Sequence, residues 1–302
     1  MNSNFDVNTI TYNQLISYVI SHLLILDSID SVNEAFIESE ILLNYYFRTD
    51  TISLRTSFEN YKEYYDINRL NNLIIRRLYG EPLAYITGNK KFLDKDMSVG
   101  HGVLIPRPET ELLVEQAEIQ IKRLSKNTKN IKVVDIGTGS GAIILSIANK
   151  LTNNGKKYSF IGLDESNSAL KYAQKNINRY QLSNDITLIK SNLLQKIEGP
   201  IHCIISNPPY IKTNEIYSLQ KEIRCYEPFF ALDGGDNGIQ IIDKLIYESS
   251  KVIDPTNFAI IIEIGINQYE QIKNIYYKYI DNCSISYIED FQGIKRVAIA
   301  TN

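Results

Sequence analysis

Apolar residues between Thr9 and Leu26 return at three- and four-residue spacing, as Leu15, Ile16, Val19, Ile20, Leu23 and Leu24. That period lines them along one face of a helix and leaves the polar residues on the other. A second helix is predicted to about Phe47, opened by a capping box in which Ser31 and Glu34 satisfy each other's end of the chain. A third is predicted from about Asp66 to Tyr79. It stops because Gly80 can turn left-handed and Pro82 cannot carry the hydrogen-bond ladder further. Between Ala84 and Ile105, short apolar stretches broken by Gly88, Gly100 and Gly102 predict a β-hairpin.

Beyond the polar spacer Ser125 to Asn130 the period changes. Ile131–Val134, Phe160–Leu163, Ile186–Ile189, Cys203–Ile205 and Phe258–Ile264 are short apolar runs separated by stretches long enough for helices. Such alternation predicts a parallel sheet with helical crossovers. The last runs, Ile285–Tyr287 and Val297–Ala300, are joined by a short Gly-containing link with no room for a helix, so they are expected to pair antiparallel. No internal repeat or low-complexity tract interrupts the chain.

Composition narrows the picture. With 302 residues, 44% hydrophobic and 22% charged, the chain is that of a soluble globular protein large enough for one big domain or two modest ones, and two are expected. Its formal charge of -3 lacks the basic excess of proteins that clamp many phosphates, which counts against long nucleic acid as a partner. Cys203, Cys225 and Cys283 are scattered, suggesting neither a disulfide framework nor a zinc site and fitting a reducing cytoplasm. His22, His101 and His202 are isolated and are read as structural or surface groups, so no metal centre is expected. The opening residues Asn2, Ser3, Asn4 and Asp6 lack the pattern of a secretory leader. Apolar runs such as Phe258 to Ile264, which carries Glu263, are too short to span a bilayer.

Val133-Val134-Asp135-Ile136-Gly137-Thr138-Gly139-Ser140-Gly141 reads as a strand entering a glycine-rich turn that opens a helix, a place where a ligand can approach backbone closely. Gly137, Gly139 and Ala142 also satisfy the looser dinucleotide pattern, so this turn alone leaves the cofactor open. The second strand ends at Asp164, roughly 20–25 residues after the glycines, where an α/β cofactor site places an acid to accept ribose hydroxyls. Capping of the helix that starts near Ser166 is the alternative role.

Asn207-Pro208-Pro209-Tyr210 follows the fourth strand directly. Adjacent prolines restrict the backbone and hold the preceding Asn extended, leaving its side-chain carbonyl and nearby main-chain carbonyls to accept hydrogen bonds. A planar NH2 group offers the matching pair of donors, and Tyr210 can stack on a flat group. Gripping both hydrogens would aim the nitrogen and favour a developing positive charge over the neutral ground state. An amide nitrogen is a weak nucleophile, so orientation is the main contribution expected of such a site, and no dedicated base is required.

Several motifs, in order, make the chain resemble the peptide-chain-release-factor glutamine N5-methyltransferase family over nearly its whole length. They are Arg76-Arg77 through Gly80-Glu81-Pro82-Leu83-Ala84-Tyr85-Ile86-Thr87-Gly88, then Val103-Leu104-Ile105-Pro106-Arg107-Pro108-Glu109-Thr110-Glu111, the Gly137 to Gly141 turn, Ser206 to Tyr210, and Tyr226-Glu227-Pro228 with Ala231-Leu232. The resemblance implies an α/β fold: a seven-stranded Rossmann-like class I methyltransferase domain over 106–302, a small helical release-factor-binding domain over 1–83 and a β-hairpin connector over 84–105. It implies methyl transfer from S-adenosyl-L-methionine, leaving S-adenosyl-L-homocysteine, to the glutamine of a release factor's Gly-Gly-Gln tip. By the same resemblance Gly137, Thr138, Gly139, Ser140, Gly141, Asp164, Leu193 and Asn207 should surround the cofactor. Asn207, Pro208, Pro209 and Tyr210 should hold the glutamine, with Asn207, Pro208 and Tyr210 at the reacting centre and Pro106 to Glu111 walling the site. The implied partner is the release factor, with no direct nucleic acid, no membrane, a monomeric state and a cytoplasmic location.

Three positions depart from the family's habit: Lys91 and Lys295 stand where an acid is common, and Leu193 where a larger aromatic is often found. Two other chemistries stay open on the motifs alone. A nucleic-acid amino-methyltransferase would also grip a planar NH2. A nicotinamide-dependent oxidoreductase would use the glycine turn and Asp164 but leave Asn207 to Tyr210 unexplained. A catalytically inactive binding module should show a degraded glycine loop, and this loop is intact.

Overall fold

The computed structural model describes residues 9–126, 128–152 and 157–302; Asn2, Ser3, Asn4, Asp6 and Asn127 of the polar spacer lie outside them. The chain divides into two compact units, one running to Gly88 and taking in Gln220–Tyr226, the other made of Asn89–Leu219 and Glu227–Asn302.

The first unit is helical. Helix α1 (Tyr12–Leu23) starts on a reciprocal capping box between Thr11 and Gln14 and buries Leu15, Ile16, Val19 and Leu23 of the predicted face, whereas Ile20 is half-buried and Leu24, at the C-cap where the helical period ends, is exposed. In α2 (Val32–Phe47) the Ser31 side chain accepts from Glu34 N as expected, but Glu34 reaches back to Asp30 N, so the box is displaced by one residue at its second bond. Two elements escaped the periodicity, α3 (Thr51–Thr56) and a 3-10 turn over Phe58–Tyr64, both too short to show a helical repeat. Helix α4 (Ile67–Leu78) is capped by Asp66, and Gly80, at φ +90, receives the chain as it leaves the helix. Leu83–Thr87 then forms α5, so the expected hairpin does not begin at Ala84. Pro82 suits a helix start because its missing N–H would be unpaired there anyway, and left-handed Gly88 ends the turn. Inside this unit Arg77, 1% exposed, pairs with Glu38 and with Glu222, each at 2.8 Å.

In the second unit β1 (Asn89–Phe92) and β2 (Lys95–Ser98) form the hairpin. After α6 (Thr110–Leu124) come β3 (Asn130–Ile136), α7 (Ala142–Leu151), β4 (Lys157–Asp164), α8 (Asn167–Arg179), β5 (Ile186–Lys190) and β6 (Cys203–Ser206). Past α9 (Lys221–Tyr226), which belongs to the first unit, follow α10 (Gln240–Ser250), β7 (Ala259–Glu263), α11 (Tyr269–Tyr279), β8 (Ser284–Glu289) and β9 (Lys295–Thr301). Among the described residues seven of these strands form one sheet in the order β5-β4-β3-β6-β7-β9-β8, parallel except for β9, which runs antiparallel to both β7 and β8. The last two strands pair antiparallel as expected, with the later one inserted beside β7.

Helices pack on both faces of this sheet. Ile242, Leu245 and Ile246 of α10 and Ile272 and Tyr276 of α11 join Val134, Ile136, Ile204, Ile260 and Ile262 in one buried cluster. All of Ala259–Glu263 is buried, which is why that strand reads as an unbroken apolar run. Lys295 reaches the Tyr269 ring, its Nζ 3.7 Å from the centroid, and lies 5.4 Å from that of Tyr287. Those aromatic faces attract the ammonium group of Lys295.

Candidate active site

The sheet order reverses between β3 and β6, which leave it in opposite directions along the strand sequence, and such a switch point opens a crevice at the carboxyl ends of the strands. Ile136 is paired with Ser206 at those ends, so the glycine turn and Asn207-Pro208-Pro209-Tyr210 emerge side by side.

The turn folds as it does because its glycines take conformations other residues avoid. Gly137, Gly139 and Gly141 have φ of +70, +57 and +80. A Cβ at Gly137 would meet nothing within 4 Å, whereas one at Gly141 would press on Ala173 at 3.3 Å. Gly141 is therefore needed for close helix packing, while at Gly137 the space is open to a ligand. Thr138 donates its hydroxyl to Asp135 at 2.7 Å, and its N–H binds Leu163 O at 2.8 Å, fixing the turn to both flanking strands. Ser140 presents its carbonyl to Asn176 Nδ2 at 2.9 Å; the same buried Asn176 exchanges hydrogen bonds with both backbone groups of Ser98. Through it, α8 ties the hairpin to the turn.

Asp164 ends β4 with its carboxylate divided between two backbone donors, Gly139 N at 2.9 Å and Ser166 N at 2.8 Å. Burial pushes its pKa up, and those N–H groups work in the opposite direction. The helix-side alternative read from sequence is thus realised in part, although the N-cap of α8 is Ser166. Each carboxylate oxygen keeps a second lone pair for a further donor. Leu193 lies in the loop after β5 at φ +47, half-buried against the main core cluster. A branched side chain in that region of backbone is unusual.

Asn207 does not stand alone. Its Nδ2 donates to Thr110 Oγ1 at 3.0 Å, and Thr110 donates to Glu263 Oε2 at 2.7 Å. Tyr210 OH donates to the other oxygen, Oε1, at 3.2 Å. Burial raises the pKa of Tyr210 far above that of an ordinary phenol, with Glu263 adding to the effect. The main-chain carbonyl of Tyr210 accepts from Gln268 Nε2 at 2.9 Å. Pro208 is buried and Pro209 half-buried.

The expected wall at Pro106 to Glu111 is pinned from outside the motif. Glu227, nearly buried, binds Ile105 N at 3.2 Å with one oxygen and Arg107 with the other. Glu111 accepts from Leu93 N in the hairpin turn at 2.8 Å. Thr110 was read only as part of this wall and Glu263 only as a polar residue in a strand; neither was assigned to the site. The available signal was an ionisable residue at the carboxyl end of an otherwise apolar strand. His202 serves the sheet, accepting from Lys132 N at 3.1 Å through Nδ1.

A glycine turn after the first strand of the parallel series, an acid after the second, Asn-Pro-Pro-Tyr after the fourth and a reversed strand inserted near the sheet edge define a Rossmann-like methyltransferase. Two family descriptions match: Methyltransferase small domain over residues 111–226, and PrmC N-terminal domain over residues 26–88. The release factor glutamine methyltransferase of Thermodesulfovibrio yellowstonii is 40% identical over 230 residues, 76% of this chain and 80% of that protein. That of Buchnera aphidicola subsp. Schizaphis graminum is 38% identical over 86% of this chain and 90% of its own. The chain belongs to the release factor glutamine methyltransferase family. A solved structure, the hMettl16 catalytic domain in complex with MAT2A 3'UTR hairpin 1, shares the fold at TM-score 0.51 and 15% identity, covering 78% of this chain and 79% of that one.

Proposed function

We propose that this chain transfers a methyl group from S-adenosyl-L-methionine to the side-chain amide nitrogen of the glutamine in the Gly-Gly-Gln motif of a peptide chain release factor. The observation that carries the reading is the anchored Asn207 amide: with Nδ2 held by Thr110, its Oδ1 is turned away as an acceptor, at a strand end adjacent to the glycine turn. The family membership supplies the acceptor protein.

The residues at the strand ends suit the cofactor. Gly137 leaves room where a side chain would stand, and the half-buried Asp164 carboxylate retains lone pairs for hydroxyl donors. Gly137 to Gly141, Asp164 and Leu193 would hold the nucleoside and its amino-acid tail. Bound there, S-adenosyl-L-methionine supplies an electrophilic methyl group on a positively charged sulfur.

What the chain contributes to the reaction is orientation. Asn207 Oδ1 accepts one hydrogen of the glutamine NH2 and so turns the nitrogen's weak lone pair along a fixed direction. As the nitrogen becomes positive that hydrogen bond strengthens, and the gain falls on the transition state. Pro208 and Pro209 stiffen the segment that presents Asn207. Tyr210 stays a neutral phenol because burial disfavours its anion and its proton is committed to Glu263, so it offers a ring face and not a base.

Methyl transfer from labelled S-adenosyl-L-methionine to purified release factor tests the reading, run beside a factor with that glutamine substituted and beside bulk nucleic acid. Label on the normal factor alone is expected. Label on nucleic acid alone would replace the protein acceptor with a base amino group.

A further inference from the structure

Glu263 is costly where it stands. It is 2% exposed at the end of a strand whose other residues are all apolar, and among the described residues it forms no ion pair. Taking a carboxylate out of water costs several kcal/mol, and uncharged hydroxyl partners repay that less fully than a cation would. Fold stability does not explain a carboxylate here, because an apolar residue would extend the strand more cheaply.

Its geometry supplies another reason. A hydroxyl has one hydrogen to give. Burial raises the pKa of Glu263, but Thr110 and Tyr210 each give a hydrogen to one of its two oxygens and pull it back, so both oxygens act as acceptors; Thr110 Oγ1, its hydrogen committed there, can meet Asn207 only as an acceptor. The Asn207 amide must then turn its NH2 inward and its oxygen outward. Without the carboxylate, Thr110 could donate to Asn207 Oδ1 instead; the amide would stand the other way round and confront an incoming NH2 with another NH2. Tyr210 is directed by the same carboxylate, at its other oxygen.

We propose that Glu263 is a positioning residue which, through the Thr110 hydroxyl, fixes the Asn207 amide as a hydrogen-bond acceptor toward the substrate nitrogen. This rests on the reading of the substrate as an NH2-bearing group. Glu263 and Thr110 act through Asn207 and need not touch substrate themselves.

The test uses the full-length enzyme and intact release factor. Thr110→Val keeps the shape and removes the relay; kcat should fall by at least about 10-fold, short of the roughly 100-fold or more that deleting a directly acting group costs. S-adenosyl-L-homocysteine binding should be unchanged, and Thr110→Ser, which restores the hydroxyl, should recover most of kcat. Adding Glu263→Gln to Thr110→Val should cost much less in kcat than Glu263→Gln costs alone, since the relay is already cut and only the Tyr210 contact remains to be lost. In protein labelled with 15N-asparagine, the Asn207 side-chain NH2 signals should keep their positions in Thr110→Ser and move in Thr110→Val.

Wild-type kcat in Thr110→Val, no recovery in Thr110→Ser, or independent losses in the double variant would overturn the proposal. Should Thr110→Val not fold, Glu263→Gln decides. A neutral amide can face Thr110 with either end, so two sets of Asn207 signals and a reduced kcat are expected. One unshifted set with wild-type kcat overturns the relay. If the wild-type enzyme labels some other NH2-bearing acceptor, the substrate reading fails while the variant-to-wild-type ratios on that acceptor, and the NH2 signals, still judge the relay.

Discussion

Gly139 N–H donates to Asp164 Oδ2 across 2.9 Å, joining the glycine turn after β3 to the acid that ends β4. One side chain thereby shapes the turn and, in the proposed reading, also holds the nucleoside. Asp164→Ala should remove both effects and weaken S-adenosyl-L-methionine binding by roughly 10- to 100-fold, the worth of about 1.5–3 kcal/mol for a hydrogen bond to a charged group. Calorimetric titration with S-adenosyl-L-homocysteine measures it, and an unchanged affinity would show that the acid serves only the turn and α8.

Asn207 should separate the two halves of the site. It is tied to α6 through Thr110, and the proposed reading gives it the substrate amide to hold, so Asn207→Ala should leave cofactor affinity within a few-fold of normal. Turnover should drop by about 100-fold or more, as for loss of a group that acts chiefly in the transition state. Pre-steady-state transfer from bound cofactor separates the two quantities. Near-normal turnover would remove Asn207 from the reaction.

The parallel strands were legible because each is covered on both faces and so appears as a continuous apolar run, Ala259–Glu263 being the clearest case. The glycine turn and Asn207 to Tyr210 were legible because their chemistry is local: glycines in left-handed conformations, prolines fixing one segment. The relay was not. Thr110 and Glu263 are 153 residues apart, and nothing in either neighbourhood announces the other. Asn176 is a similar case, a polar residue on an amphipathic helix whose burial against Ser98 and Ser140 depends on the tertiary fold alone. The start of the hairpin was misplaced because Leu83–Thr87 is too short a helix to display a period.

Arg77 should be a stability determinant of the helical unit. Its guanidinium bridges Glu38 and Glu222 and is 2% exposed, while those carboxylates retain 18% and 19% of their surface. Arg77→Met would leave two half-buried carboxylates facing an apolar chain. Since both still reach water, the loss should fall at the lower end of the range for breaking a buried pair, about 3 kcal/mol. Denaturant unfolding checks this. Arg77→Lys should recover only part, because an ammonium cannot fork to both partners as the guanidinium does.

Asp135 carries a pH prediction with a definite sign. It is wholly buried beside the glycine turn; burial pushes its pKa up to about 7, the Thr138 hydroxyl opposes the shift, and the charge of Asp164 adds to it. In the unfolded chain an aspartate titrates near 3.9, so between roughly pH 4 and pH 7 the folded protein binds the extra proton. Stability contributed by this group must then fall as pH rises through that window, by on the order of 4 kcal/mol at most, and stay low above it. Asp135→Asn keeps the acceptor for Thr138 and removes the titration. Its melting temperature, set against the wild type at matched pH, should therefore improve from pH 5 to about pH 7 and then level off. A difference that does not change with pH would mean that Asp135 is ionised throughout, held so by the turn despite its burial.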